Sequence, residues 1–233
     1  MHSRNPLVIL ALLAIAILPL RPAHAEDLAS VLAKLDAASK DFHTTTAIVE
    51  FDTIQTDPIY DKDVMTGNAY YERKGNSVEM AVQFKGNNVE MAVHFKEHNG
   101  KPTAKTYTYS KGTFRLSETG KEADAKPYTQ ASKYEGYLML GFGASGSELA
   151  EKWDIKYLGQ ETIDGVVTDK LELVAKDPTV RKNISKVTVW MDTARAVSLK
   201  VIFDEGQGQS YVCHYTDIKV NQPLPKAAFN FDK

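Results

Sequence analysis

Two consecutive eleven-residue segments, Lys74–Phe84 (KGNSVEMAVQF) and Lys85–Phe95 (KGNNVEMAVHF), agree at nine of eleven positions, the mark of a tandem duplication. Each copy alternates apolar and polar residues, the pattern of a half-buried strand. Eleven is odd, so extending one copy into the next along a single strand would swap its faces. A hairpin over Lys85-Gly86-Asn87-Asn88 preserves them. In that register Phe84 pairs with Val89, Val82 with Met91, Met80 with Val93 and Val78 with Phe95. One face then carries eight apolar side chains, and the other carries Glu79, Ala81, Gln83, Glu90, Ala92 and His94. A sheet with one wet and one dry face is antiparallel in character.

The rest of the chain fits such a sheet. Leu28, Val31, Leu32, Leu35 and Phe42 recur at helical spacing, predicting an amphipathic helix over 27–42. From Thr44 the period becomes two, and turn signals follow at short intervals: Asp57-Pro58, Gly75-Asn76, Asn99-Gly100, Lys111-Gly112, Asp164-Gly165, and Gly206 with Gly208. This predicts about ten or eleven strands in a meander, broken by a Gly-rich stretch from Tyr134 and a short helix over 147–153. Two helices cannot cover so wide a sheet if it stays flat. The expected fold is therefore mainly β with some α, a single curved antiparallel sheet forming an unclosed β-barrel with helices at its mouth. Such a barrel either encloses an apolar hollow lined by Val78, Met80, Val82, Phe84, Val89, Met91, Val93 and Phe95, or fills it with those same side chains as an ordinary core. Tyr137, Leu138, Met139, Leu140 and Phe142 suit a lid or cavity mouth, and suit plain core packing equally.

Arg4, an apolar run from Leu7 to Leu18, and Ala23-His24-Ala25 together read as a cleavable secretory signal over 1–25. Twelve apolar residues fall short of the roughly 20 that span a bilayer. Residues 26–233 then form one exported domain. With 28 Lys and Arg against 30 Asp and Glu, the chain has no basic surface for nucleic acid. A single cysteine, Cys213, rules out a disulfide framework and reads as a buried small hydrophobe.

Several segments, in order along the chain, resemble the LolA-type periplasmic carriers of outer-membrane lipoproteins. They are Asp41-Phe42-His43-Thr44, the Gly67-Asn68-Ala69-Tyr70-Tyr71-Glu72-Arg73 strand, Trp190-Met191-Asp192 through Leu199-Lys200-Val201, Asp217 to Asn221, and Leu224 to Phe231. The resemblance implies a monomeric carrier that binds the acyl chains of lipoproteins in an apolar cavity. It would take them from an inner-membrane lipoprotein-releasing transporter and deliver them to an outer-membrane receptor. In that family an arginine ending the Gly-x-x-x-x-x-Arg strand holds the lid, and Arg73 falls on that position. Here Lys74-Gly75 replaces the proline common after it. Relatives of the same fold bind free lipid or act as envelope-stress sensors, which is the alternative reading.

Other signals point to no chemistry. Gly141-Phe142-Gly143-Ala144-Ser145-Gly146 matches G-x-G-x-x-G, but the helix after it is short and no β-α alternation follows. His94 and His98 share a strand face, with Glu79 opposite His94 in the register above, yet that face is the solvated one. Cys213 and His214 are neighbours on a strand and point to opposite faces. No catalytic motif occurs, so no enzyme, cofactor or metal is expected. Asn183-Ile184-Ser185 is an incidental sequon.

Overall fold

The computed structural model describes residues 27–75, 77–86, 89–98, 101–110, 113–118 and 140–229, with side chains over 27–75, 78–84 and 140–229. Helix α1 spans Leu28–Ala38, capped by Asp27, whose carboxylate accepts from the Ser30 amide at 2.8 Å. A 3-10 turn, Ser39–Asp41, follows. The helix ends earlier than its apolar spacing predicts, because Phe42 leaves it in extended conformation to pack edge-on against Tyr71, with ring centroids 5.3 Å apart.

Eleven strands make one antiparallel sheet: β1 (Thr44–Gln55), β2 (Asp61–Lys74), β3 (Ser77–Gly86), β4 (Val89–His98), β5 (Lys101–Ser110), β6 (Thr113–Glu118), β7 (Trp153–Ile163), β8 (Val166–Ala175), β9 (Lys186–Asp192), β10 (Val197–Gly206) and β11 (Gln209–Val220). Helix α2, Gly146–Lys152, precedes β7, and a one-turn α3, Pro178–Arg181, follows β8. The spatial order is β6-β5-β4-β3-β2-β1-β11-β10-β9-β8-β7, two meanders joined where the first strand pairs with the last. The sheet is open between β6 and β7, so the barrel is unclosed.

The duplicated segments form the β3–β4 hairpin, with a register that differs from the sequence expectation by two residues. Gly86 pairs with Val89, Phe84 with Met91, Val82 with Val93 and Met80 with Phe95, while Val78 meets Glu97. The strands end at Gly86 and resume at Val89, so two residues separate them in place of the four assumed. A shift of two leaves every residue on its face. It also moves Glu79 opposite Lys96 and puts Ala81 opposite His94, which removes the proposed Glu79–His94 pairing.

Curvature follows from what is buried. Ten inter-strand gaps span about 48 Å if flat, whereas the eleven residues of α1 are only about 16 Å long. Yet one continuous core runs across a single face from Phe84 on β3, through Phe51 on β1 and Cys213 on β11, to Leu171 and Leu173 on β8. Aromatic rings step along it: Phe84 to Phe51 at 5.6 Å and Phe51 to Tyr211 at 5.8 Å. The sheet must curl for these side chains to meet, with α1 and α2 against the concave side through Val31, Leu35 and Leu149.

Candidate functional site

The concave face is built from alternate residues of each strand: Thr45, Ala47, Val49 and Phe51 of β1, Ala69 and Tyr71 of β2, and Met80, Val82 and Phe84 of β3 are all buried. Of the eight cavity-lining residues expected from sequence, Met80, Val82 and Phe84 lie on this face and Val78 is half-buried against it. Val89, Met91, Val93 and Phe95 hold matching backbone positions on β4, and their side chains lie outside the described residues. Tyr137, Leu138 and Met139 also lie outside them, as do the side chains of His94 and His98. Among the described residues no three His, Cys, Asp or Glu side chains gather as a metal site.

Residues 140–152 pack over the concave face. Gly141 accepts a backbone hydrogen bond from the Ser198 amide, and the Gly143 amide donates to the Ala196 carbonyl, both at 2.8 Å, stitching this segment onto the start of β10. Between them Phe142 points inward, 3% exposed, against Tyr215 at 4.8 Å and Tyr71 at 6.4 Å between ring centroids. The space beside it, lined by Thr45, Ala69, Tyr70, Tyr71, Met80 and Phe142, is nowhere wide enough for a water-sized sphere. Ligand pockets usually hold roughly 300–1,000 Å³. The described concave face is thus filled, and Leu140 and Phe142 do the filling at its mouth.

The glycines of the G-x-G-x-x-G match serve packing. A Cβ on Gly143, which has φ +64°, would sit 2.7 Å from Phe42 Cε1, and one on Gly146 would sit 2.6 Å from the carbonyl carbon and Cα of Leu32 on α1. Backbone and helix approach where a side chain would hold them apart. Asp164 is in the β7–β8 turn, its Oδ2 2.6 Å from His214 Nε2.

Polar contacts then fasten α2. Ser145 and Glu148 form a reciprocal capping box, with 3.1 Å from the Glu148 amide to Ser145 Oγ and 3.0 Å from the Ser145 amide to Glu148 Oε2. Ser147 donates through its amide and its hydroxyl to Asp36 Oδ1 of α1, each at 2.9 Å. Those two donors, the amide first, hold the Asp36 carboxyl below its usual range. Arg73, at the end of β2, donates from Nε and Nη2 to the Tyr71 hydroxyl at 3.3 Å, and its Nη1 lies 3.7 Å from Glu148 Oε1. A half-exposed pair of that length is worth about 0–1 kcal/mol. Burial of Leu149 and the Asp36–Ser147 bonds therefore outweigh it in holding α2 against α1.

Cys213 is fully buried on the concave side, and burial pushes its thiol up to about 12. Asp36, Glu148 and the Phe42–Gly143 contact had no part in the sequence reading. The Ser145-x-x-Glu148 spacing was a visible capping signal, whereas Asp36 and Ser147 lie 111 residues apart and share no sequence pattern.

No protein-family model matches this chain, and no curated protein does. Similar solved structures include a DUF1329 family protein from Desulfovibrio piger, with 10% identity over 88% of this chain and 96% of that one, TM-score 0.49. An outer membrane lipoprotein-sorting protein domain from Vibrio parahaemolyticus gives 14% identity, 86% and 94% coverage, and TM-score 0.45. A LolA superfamily protein from Nitrosomonas europaea gives 15% identity, 89% and 99% coverage, and TM-score 0.37. These neighbours include members of the group that the sequence series resembles. Their scores are too low to carry a ligand or an activity over to this chain.

Proposed function

We propose that this chain is a periplasmic carrier of acylated cargo, exported by residues 1–25 and working by binding, with no catalysis. The observation that supports it is a continuous apolar concave face, from β3 to β8, covered by the short segment 140–152, which Ser147–Asp36 and Arg73–Glu148 contacts tie to α1 and β2 and backbone hydrogen bonds tie to β10.

Energy decides whether such a face can trade its filling for a ligand. An acyl chain of about 16 carbons needs on the order of 12 kcal/mol of shielding from water. Loading it here means withdrawing Leu140, Phe142 and Leu149, each buried to 9% exposure or less. Each such side chain contributes about 1.5–3 kcal/mol by burial. The exchange stays favourable, but more than a third of the gain goes into displacing the lid, which keeps the cargo releasable. A carrier that hands its load onward requires that compromise, and a store of lipid does not. Arg73 would tune the lid from the rim, as the sequence resemblance implies.

The test is native mass spectrometry of protein purified from a bacterial periplasm, for the wild type and Arg73→Leu. The reading expects an acylated protein as adduct, with occupancy changed in the variant. Free phospholipid alone would favour a lipid-holding or stress-sensing module, and an empty protein in both forms would refute acyl binding. Unchanged occupancy in the variant would remove Arg73 from the lid mechanism.

A further inference from the structure

Among the described residues the buried hydroxyls of Thr45 and Tyr215 on the concave face have no hydrogen-bond partner, and of the two Thr45 is the one that lines the space beside Phe142. Its neighbours on the same strip of β1, Ala47, Val49 and Phe51, are apolar. Valine would fill the same volume without leaving a polar atom unsatisfied, so the hydroxyl costs stability where it stands. Across the strand pair Thr45 faces Tyr71, whose hydroxyl takes the Arg73 hydrogen bonds, and Arg73 in turn reaches Glu148 on the lid. An unpaired hydroxyl thus lies at the lid end of an otherwise apolar strip, next to the aromatic ring that must leave when the mouth opens.

We infer that Thr45 is a specificity-determining residue, its hydroxyl donating a hydrogen bond to the carbonyl oxygen of the ester or amide that ends a bound acyl chain. The inference rests on the acyl-carrier reading and deepens it. With Phe142 withdrawn, the carbonyl takes the space beside Thr45, and the alkyl chain continues along Ala47, Val49 and Phe51. The polar end of the ligand stays near the rim, where its headgroup or peptide can reach water. A hydrocarbon chain without a carbonyl at that depth would leave the hydroxyl unpaired.

The experiment compares 1-monopalmitoylglycerol, an ester, with 1-O-hexadecylglycerol, the ether lacking the carbonyl. Each displaces a fluorescent fatty-acid probe from periplasmically purified protein below its aggregation concentration. The wild type should prefer the ester by roughly three- to tenfold. Thr45→Val should lose that preference while melting no lower than the wild type, and Thr45→Ser should keep it. A wild type that binds both lipids equally, or a Thr45→Val variant that keeps the full preference, would overturn the role of Thr45 and leave the acyl site standing. If neither lipid binds the wild type, the carrier reading is overturned along with it.

Discussion

Replacing Gly146 with alanine sets helix propensity against packing, and the two predict opposite signs. Propensity alone favours alanine by up to about 1 kcal/mol. In the fold, the new methyl would stand 2.6 Å from the Leu32 carbonyl carbon and Cα, where ordinary contact begins at 3.4 Å. Helix α2 must therefore retreat from α1 by at least about 0.8 Å, since the Leu32 carbonyl oxygen is nearer still. That displacement stretches both Ser147 bonds to Asp36 from 2.9 Å past useful length. Losing two hydrogen bonds at about 0.5–1.5 kcal/mol each, with about 1–3 kcal/mol of overpacking, outweighs the propensity gain. The net effect is an α2 less firmly docked by about 1–5 kcal/mol. Hydrogen exchange is the suitable assay, since the loss is local while the sheet keeps its own contacts. Protection of the amides in 149–152 should fall at least about fivefold, with β9 to β11 little changed. Slower or unchanged exchange in α2 would refute the claim that Gly146 exists for close approach.

Other outcomes follow from the same contacts. Asn221 accepts from the His43 amide at 2.8 Å and donates to the Asp41 carbonyl at 2.6 Å, tying the helix-to-sheet linker to the end of β11. Asn221→Ala should cost about 1–2 kcal/mol, a fall in melting temperature of roughly 2–8 °C by calorimetry. Cys213, with its thiol pushed up to about 12, should have about one part in ten thousand as thiolate at pH 8 and react with a disulfide reagent only as the core opens. Labelling at the rate of a model thiol would contradict its burial. The Asp36 carboxyl is held low by Ser147, so its contribution to lid docking is complete above its unfolded value of 3.8 and fades as pH falls through the lower folded value. Protection of the α2 amides, taken relative to their intrinsic exchange rate at each pH, should therefore fall on acidification below about pH 4 and show no such fall in Asp36→Asn.

The sheet was legible because its signals are local. Alternation, turn residues and an odd-length repeat specify strands and faces without knowledge of tertiary contacts, which is why Val166–Ala175 begins and ends where its pattern does. The β3–β4 register slipped by two because the sequence LysGlyAsnAsn admits more than one loop length, and only the parity of the faces is encoded in the repeat. Helix α1 was read too long, since Phe42 continues the apolar spacing while its partners Tyr71 and Gly143 lie far along the chain. The mouth was the least legible part. Its glycines act through what they touch, Phe42 and Leu32, and its fasteners join Asp36 to Ser147 and Arg73 to Glu148 across long sequence separations. Thr45 looked like any other β-branched strand residue, and only its unsatisfied oxygen distinguishes it.

The central claim is that an acyl chain replaces the lid residues on the concave face. The most direct measurement is photocrosslinking with a palmitoyl lipid carrying a diazirine on its alkyl chain, followed by mapping of the modified residues by mass spectrometry. The account predicts modification of Met80, Phe84, Phe142 and Tyr215, all buried on the concave side, and its suppression by unlabelled palmitoyl lipid. Modification confined to exposed residues such as Ile59, Tyr60 and Val64, or none that unlabelled lipid suppresses, would contradict it.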